Sequence, residues 1–403
     1  MKNIQKFIKN KLFIFTISNA IVSLSNFIGP ILLVYFLQDN LFSEFIYDYQ
    51  IILFLIMTYE LGISTTYISK FKRVPEETIS NQNFLESFLL IGVTIVSIIL
   101  YSLGKLNLSI LILSPLGSVV YIYNKSKNLA NNKFDNIIIT SIIVLVLRFV
   151  ALSLIYFFNI NNINVIILLY FLFPYILEIF ISLREKINIK FKYFNIVSIK
   201  DYVLFSISIC LSGLIFNSLF RINLYYLDKY EHKEFISYIG FSLSLSGVVA
   251  LINNSFKNFY INRLSTRNND EVKSYIKSLK RISIVIIILP FLLSAIYIIY
   301  LNLFNPFKEF YEPLVIGIIS IFYISFVIYF GLYNVLSKTF DFMKFELKIN
   351  VIRLIFVIIL SYFLNLRYPI ISYFTICLII VFFEFYYVLS IKNKIKEKYG
   401  INI

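Results

Sequence analysis

The segment from Phe220 to Gly240, FRINLYYLDKYEHKEFISYIG, joins two long apolar stretches through a short charged turn. Arg221 lies inside the first stretch, the turn runs from Asp228 to Glu234, and the second stretch begins at Phe235. Apolar stretches of about 20 residues are long enough to cross a bilayer as helices. The segment therefore predicts a transmembrane hairpin that carries an arginine within one of its helices.

A related hairpin lies near the start of the chain, where residues 41–49 read LFSEFIYDY between the first and second apolar stretches. Its triplet Glu44-Phe45-Ile46 recurs 190 positions later as Glu234-Phe235-Ile236, an offset close to half of the 403 residues. A repeat of this spacing is typical of transporters built from two fused halves of one bundle. The sequence thus predicts two related lobes.

The composition indicates an integral membrane protein. Hydrophobic residues make up 59% of the chain, charged residues make up 15%, and the mean hydropathy is +0.82, which is too apolar for soluble domains of ordinary size. The net charge of +15 is expected to reflect membrane topology rather than nucleic acid, because no soluble module could carry a basic face. The only cysteines, Cys210 and Cys377, lie in apolar stretches, so we expect no disulfide or thiolate metal site.

Hydropathy predicts an all-α integral membrane protein with about 12 transmembrane helices in two six-helix lobes. The lobes are residues 1–183 and 201–391, joined by a basic cytoplasmic linker at 184–200 and followed by a basic cytoplasmic tail at 392–403. The first span is expected to be a retained helix and not a cleaved signal peptide, because its apolar run continues without a small-residue cleavage site. The predicted spans are 12–37, 46–69, 84–103, 106–123, 136–158, 163–183, 202–227, 235–256, 282–304, 313–337, 346–364 and 369–391.

The distribution of basic residues predicts the orientation of these helices. With the N-terminus inside, the inner segments hold 29 of the Lys and Arg residues and the short outer turns hold 5. Cytoplasmic loops of membrane proteins carry this excess, so we expect both termini in the cytoplasm. The longest inner segment, residues 257–281, is predicted to be a basic amphipathic helix on the membrane surface.

Six ionisable residues stand out within the predicted spans, where charge is costly unless it meets a partner or a wet cavity. Three are arginines, which suit bidentate contacts with phosphate, and we predict that they bind an anionic substrate. Three are glutamates, which are predicted to bind a coupling ion, H+ or Na+, or to form ion pairs. The alternatives are that the charges of the first lobe only pair with one another and that Arg353 reaches back to the inner surface. The residues are Arg148, Arg221, Arg353, Glu60, Glu178 and Glu384.

Two further features concern mechanism. Gly29 and Pro30 in the first span predict a helix bend, because proline removes a backbone hydrogen bond. The only histidine, His232, lies in an outer turn, and no phosphate-cradling glycine loop or metal-ligand cluster is present in the sequence. We therefore expect a protein that is not an enzyme and that uses no cofactor or metal.

Several of these residues resemble a known family. Residues 37–45 followed by Tyr47, and then Glu60-Leu61-Gly62-Ile63, look like the N-terminal pattern of the Wzx-type polysaccharide flippases. Arg221, Leu227, the acidic turn and Tyr238 are similar to the start of that family's second half, although Phe220 stands where the family often has Asp. The family belongs to the multidrug, oligosaccharidyl-lipid and polysaccharide exporter (MOP) superfamily.

This resemblance implies that the protein moves an undecaprenyl-pyrophosphate-linked oligosaccharide from the inner to the outer leaflet, for O-antigen, capsule or a related surface glycan. Its partners would be the lipid-linked oligosaccharide, membrane lipids and the glycan polymerase machinery, with no nucleic acid. Alternating access through rocking lobes would expose the cavity to each side. The alternatives are a multidrug or metabolite exporter of the same superfamily, a major facilitator, and a membrane-embedded glycan polymerase or acyltransferase.

Overall fold

The computed structural model describes residues 17–19, 21–22, 29, 32–33, 36–37, 39–186, 196–232, 235, 238–239, 256–266, 268–304 and 310–400. The regular structure within those residues is entirely helical. The chain divides into two compact units, unit 1 from Met1 to Cys210 and unit 2 from Leu211 to Ile403. The division falls inside one long helix.

Unit 1 is built from helices with short connections, several of which continue one another through a break. Between α7 and α8 the chain forms a π-helical turn, Leu168–Leu172, and a 3-10 turn, Phe173–Tyr175. The helices are α1 (Asp39–Glu60), α2 (Ile63–Lys70), α3 (Pro75–Ser102), α4 (Leu106–Leu113), α5 (Pro115–Ala130), α6 (Phe134–Phe157), α7 (Ile163–Ile167), α8 (Ile176–Lys186) and α9 (Ile196–Lys229), which continues into unit 2.

The regular structure of unit 2 is also helical wherever its residues are described. Residues 256–264 are also helical, and the longest helix that follows contains Pro290 in its interior. The labelled helices are α10 (Asn269–Phe304), α11 (Tyr311–Gly331), α12 (Asn334–Thr339), α13 (Met343–Leu364) and α14 (Pro369–Tyr399).

Nine helical stretches within the described residues are long and apolar enough to cross a membrane. They correspond to nine of the predicted spans, and the spans predicted at 84–103 and 106–123 are separate helices joined by a turn at Gly104, whose φ is 74°. The predicted spans 12–37 and 235–256 lie largely outside the described residues. Twelve spans with cytoplasmic termini therefore remain a prediction, whereas a multi-pass helical membrane protein is what the fold shows.

The inner segment at 257–281, which was predicted to form one surface helix, is divided between two helices. Residues 256–264 are helical, and α10 begins at Asn269, well before the predicted span at 282. Hydropathy identifies only the part of a helix that suits the bilayer, so polar turns that prolong a membrane helix are not detected.

The repeated hairpin motif contributes to the core of each unit. Phe45 is fully buried and belongs to the core of unit 1 together with Leu33, Ile52 and Tyr170. In unit 2, Phe235 packs against a core that contains Tyr238. The aromatic residue of the repeated triplet thus packs inside its own unit in both cases.

Candidate functional site

Arg148, at the middle of α6, is the most buried arginine of unit 1, with 2% of its surface exposed. Its Nη2 donates a hydrogen bond to the hydroxyl of Tyr175 at 3.0 Å. Its guanidinium carbon lies 4.9 Å from the ring centre of Tyr170 and 5.5 Å from that of Tyr175. Aromatic faces attract cations at these distances, so the two tyrosines hold the guanidinium in place.

The irregular helix after α7 explains how both tyrosines reach Arg148. Residues five positions apart on a regular α-helix point about 140° away from each other. Here the π turn Leu168–Leu172 and the 3-10 turn around Pro174 lie between them. π turns are rare and occur frequently at functional sites, and this one presents Tyr170 and Tyr175 to the same guanidinium.

Tyr49 completes the tyrosine cluster, which consists of Tyr49, Tyr170 and Tyr175 around Arg148, and Gly29 borders it. The ring of Tyr49 lies 6.2 Å from that of Tyr170, centre to centre. On the other side, a Cβ atom at Gly29 would lie only 2.5 Å from Cε2 of Tyr170. Gly29 is therefore required for the close approach of the ring, while its predicted partner in a helix bend, Pro30, lies outside the described residues.

Glu60 closes α1 and organises a break in the second predicted span. Leu61 and Gly62 have φ values of 50° and 70°, which end the helix. The Glu60 carboxylate accepts hydrogen bonds from the backbone N–H of Gly62 at 2.9 Å and of Ser64 at 3.0 Å, and from the Ser64 hydroxyl. It satisfies donors at the start of α2 that have no partner within that helix, so the structure gives this carboxylate a capping role.

Glu178, in α8, is buried with 5% exposure. One of its carboxylate oxygens accepts a hydrogen bond of 2.7 Å from Nδ2 of Asn124. Nearby on the same helices, Glu86 accepts from Lys127 at 3.1 Å and from the Ser182 hydroxyl at 2.6 Å. The two carboxylates thus join α3, α5 and α8 through a set of polar contacts.

In unit 2, Arg353 and Glu384 form a buried ion pair. Arg353 Nη1 lies 2.6 Å from Oε1 of Glu384, and their side chains are 2% and 3% exposed. The pair links α13 to α14. Arg353 does not reach the surface, and it pairs with Glu384, for which the sequence predicted an ion pair or a coupling-ion site.

A second buried carboxylate of unit 2, Glu346, accepts three hydrogen bonds. They come from the hydroxyls of Ser212 at 2.9 Å, Ser337 at 2.7 Å and Tyr387 at 2.9 Å. A buried carboxyl group needs such donors for its oxygens. Glu346 therefore draws four helices of unit 2 together.

The remaining predicted residue, Arg221, lies in α9, and its side chain lies outside the described residues. In the part of the chain that the structure describes, no group of three or more His, Cys, Asp or Glu residues could hold a metal ion.

Sequence reasoning missed Glu86, Glu346 and the tyrosine cluster. Glu86 and Glu346 lie at the ends of predicted spans, where a charge is ordinarily solvated, and Lys127 was assigned to an inner loop. The chain has 31 tyrosines, so no single tyrosine was informative. In the sequence, only Pro174, beside Tyr175, indicated that the helix is irregular at this point.

Comparison with solved structures identifies the fold. No family model matches the chain, and no curated protein matches it. A mutant of the Vibrio cholerae MATE transporter VcmN is similar in structure, with 14% identity, a TM-score of 0.72 and coverage of 98% of both chains. A MOP superfamily transporter from Pyrococcus furiosus has 13% identity, a TM-score of 0.65 and 96% coverage of both.

A third similar structure is the outward-facing conformation of a multidrug resistance MATE family transporter, with 13% identity and a TM-score of 0.66, covering 97% of this chain and 95% of that one. The chain therefore has the fold of the MATE transporters of the MOP superfamily. This agrees with the superfamily that the sequence resembles. It does not distinguish the polysaccharide flippases from the multidrug exporters.

Proposed function

We propose that this protein is a membrane transporter that moves an undecaprenyl-pyrophosphate-linked oligosaccharide from the inner to the outer leaflet by alternating access. The MATE-like fold supports transport, because its similar structures are described as transporters. The buried Arg148 of unit 1 supports an anionic substrate.

The observation that carries this proposal is Arg148 in its tyrosine cluster. A guanidinium presents several N–H donors in a planar fork that matches phosphate oxygens. The Nη2 of Arg148 donates a hydrogen bond to the hydroxyl of Tyr175, and the guanidinium lies over the ring of Tyr170. Tyrosine hydroxyls also donate and accept hydrogen bonds, which suits the hydroxyls of a sugar.

One similar structure bears on the sign of the charge. The Pyrococcus furiosus transporter is described as having a binding pocket of reverse polarity, which suggests a different function for that protein. The description concerns the other protein, but it indicates that pocket polarity varies within this fold. We infer that an arginine at the centre of unit 1 selects an anionic substrate in this chain.

The second candidate function is export of drugs or metabolites. One similar structure is of a multidrug resistance transporter, and the carboxylates of Glu60 and Glu178 would suit a cationic substrate or a coupling H+ or Na+. Glu60 is occupied by the cap of α2 and Glu178 by Asn124, so a coupling ion would have to displace these contacts.

We propose different roles for the two other arginines. Arg221 is proposed to contact the substrate, as the sequence resemblance implies. The pairing of Arg353 with Glu384 favours a role in holding α13 to α14, with substrate contact requiring that the pair opens. We propose that the protein lies in the cytoplasmic membrane of a bacterial cell, with both termini in the cytoplasm. The glycan polymerase machinery is the proposed partner that uses the product.

Depletion of the protein in its native cell tests the proposal. We expect undecaprenyl-linked repeat units to accumulate on the cytoplasmic leaflet while surface glycan falls. If surface glycan is unchanged and sensitivity to cationic drugs rises, the exporter function replaces the flippase function.

A further inference from the structure

We propose that five lysines at the predicted cytoplasmic ends of α13 and α14 bind the headgroup of an anionic phospholipid. We call these residues the lysine patch, and they are Lys344, Lys348, Lys394, Lys396 and Lys398. The ligand is a lipid of the surrounding membrane, so the inference does not depend on which substrate the protein transports.

The polar extension of α14 positions three of the five lysines. The predicted span ends at residue 391, but α14 continues to Tyr399. Ile391 and Ile395 of this part of the helix are fully buried, and residues four positions apart lie on one face of a helix. The extension therefore packs against unit 2 through its isoleucines, and its lysines are held in place.

Two ring contacts join this extension to the start of α13. Nζ of Lys394 lies 4.8 Å from the ring centre of Phe345, and Nζ of Lys398 lies 5.6 Å from that of Phe342. Lys344 stands between these two phenylalanines in the sequence. Lysines of both helices are therefore gathered around the first turn of α13.

The lysine patch is open to a ligand. Lys344, Lys348, Lys396 and Lys398 are exposed, and Lys394 is partly buried beside its ring. An ammonium group has three N–H donors, and ionised donors form strong hydrogen bonds with phosphate oxygens. The exposed lysines can thus contact the phosphate of a headgroup without any rearrangement of the helices.

The charge of the lysine patch specifies an anion. Two exposed acids, Asp341 and Glu397, adjoin it in the sequence, and five lysines with two acids leave a net charge of +3. The other nearby acid, Glu346, is buried and accepts its hydrogen bonds from three hydroxyls. Clusters of basic residues directly beside a membrane helix attract anionic lipids.

The inner end of α10 differs from the lysine patch in its balance of charge. It carries two exposed lysines, Lys273 and Lys277, but Asp270 and Glu271 stand in the first turn of the same helix. Two acids thus accompany two lysines there. These lysines serve as a control for the general preference of basic residues for the cytoplasmic side.

An apolar surface continues from the lysines into the predicted bilayer. On α13, Val351 and Ile355 follow Lys348 by three and seven positions, and on α14, Leu389 precedes Lys396 by seven. These spacings place each set on one face of its helix, and all three apolar side chains are exposed. A phosphate bound by the lysines therefore has room for acyl chains beside it, which favours a lipid over a soluble anion.

Native mass spectrometry of the purified full-length protein, stripped of lipid, tests this inference. The probes are phosphatidylglycerol, which is anionic, and phosphatidylcholine, which has no net charge, with identical acyl chains. We expect phosphatidylglycerol to bind at least about tenfold more tightly, because each lysine near an anionic headgroup contributes about fivefold. Equal binding of the two lipids would overturn the inference.

A double variant with a matched control assigns the site. Lys344→Gln with Lys394→Gln removes one lysine of the patch from each helix and should weaken binding of phosphatidylglycerol about tenfold or more. Lys273→Gln with Lys277→Gln removes the same charge from α10 and should bind as the wild type does. Unchanged binding in the first variant, or equal weakening in both, would contradict the proposal.

Two measurements on the wild type remain decisive if the double variant does not fold. A photoreactive phosphatidylglycerol should label residues 344–355 or 389–398, and labelling only elsewhere would refute the site. Glycerophosphoglycerol, which has the same headgroup without acyl chains, should compete at least about tenfold more weakly than the lipid, because it buries no apolar surface. Equal competition would indicate a site for soluble phosphate and would refute the lipid.

Discussion

One described arginine of unit 1 and one of unit 2 are buried to the same degree, but their surroundings differ. Arg148 in unit 1 and Arg353 in unit 2 are both 2% exposed. Arg353 meets the carboxylate of Glu384 at 2.6 Å, whereas Arg148 meets the hydroxyl of Tyr175 at 3.0 Å and the face of Tyr170. The difference teaches that burial does not mark an arginine as a binding residue. The chemistry of the groups around it decides what else it can contact.

The difference also separates two uses of electrostatics. A carboxylate pairs with Arg353 through a short hydrogen bond between charged groups. Tyrosine rings stabilise a cation through their quadrupole. Unit 2 therefore uses its arginine to join α13 and α14, whereas we propose that the arginine of unit 1, which is held against tyrosines, contacts an anionic ligand.

The largest expected effect comes from breaking the pair in unit 2. Glu384→Ala leaves Arg353 buried without its carboxylate, and we expect a loss of about 3–5 kcal/mol in unfolding free energy. Thermal unfolding of the purified protein measures it. The double variant Arg353→Met with Glu384→Met should recover most of the loss. A double variant as unstable as the single one would show that the pair is not the cause.

A smaller effect is expected from crowding the tyrosine cluster in unit 1. Gly29→Ala places a Cβ within 2.5 Å of Tyr170 Cε2, and overpacking of this kind costs about 1–3 kcal/mol. The matched control is Gly92→Ala in α3, where no atom lies within 4 Å of the added Cβ. That control should be neutral or slightly stabilising, since alanine favours a helix. Equal melting temperatures for the two variants would contradict the packing at Tyr170.

The smallest loss of stability is expected from removing a carboxylate that accepts hydrogen bonds from the backbone and does not pair with an arginine. Glu60→Ala removes the acceptor for the N–H groups of Gly62 and Ser64, and losing a helix cap costs about 1 kcal/mol. Glu44→Ala, at an exposed glutamate of α1, is the control and should change stability little. If Glu60→Ala is as stable as this control, Glu60 does not cap α2, and a role in coupling gains support.

Much of the fold followed from the sequence, because a membrane helix is identified by its apolar length. The spans predicted at 136–158 and 346–364 closely match Phe134–Phe157 and Met343–Leu364. The polar extension of α14 to Tyr399 was not predicted as helix, because hydropathy follows only the part of a helix that crosses the bilayer. The identity of the substrate is proposed from the resemblance to the polysaccharide flippases.

The arrangement of the site could be predicted only in part. The sequence identified Arg148, Glu178, Arg353 and Glu384 as charges within spans, since such charges stand out against apolar neighbours. It could not assign their partners, because a contact such as that of Ser182 with Glu86 joins residues 96 positions apart. The π turn that aims two tyrosines at Arg148 depends on packing against other helices.

Binding of a short-chain polyprenyl pyrophosphate to the purified full-length protein tests the central claim most directly. We expect the wild type and the double variant Arg353→Met with Glu384→Met to bind it, and Arg148→Gln to bind about tenfold or more weakly, since a charged hydrogen bond contributes on that scale. The corresponding neutral polyprenol should bind weakly to all three. If Arg148→Gln binds the pyrophosphate as tightly as the wild type does, Arg148 is not an anion-binding residue and the proposed substrate loses its structural support.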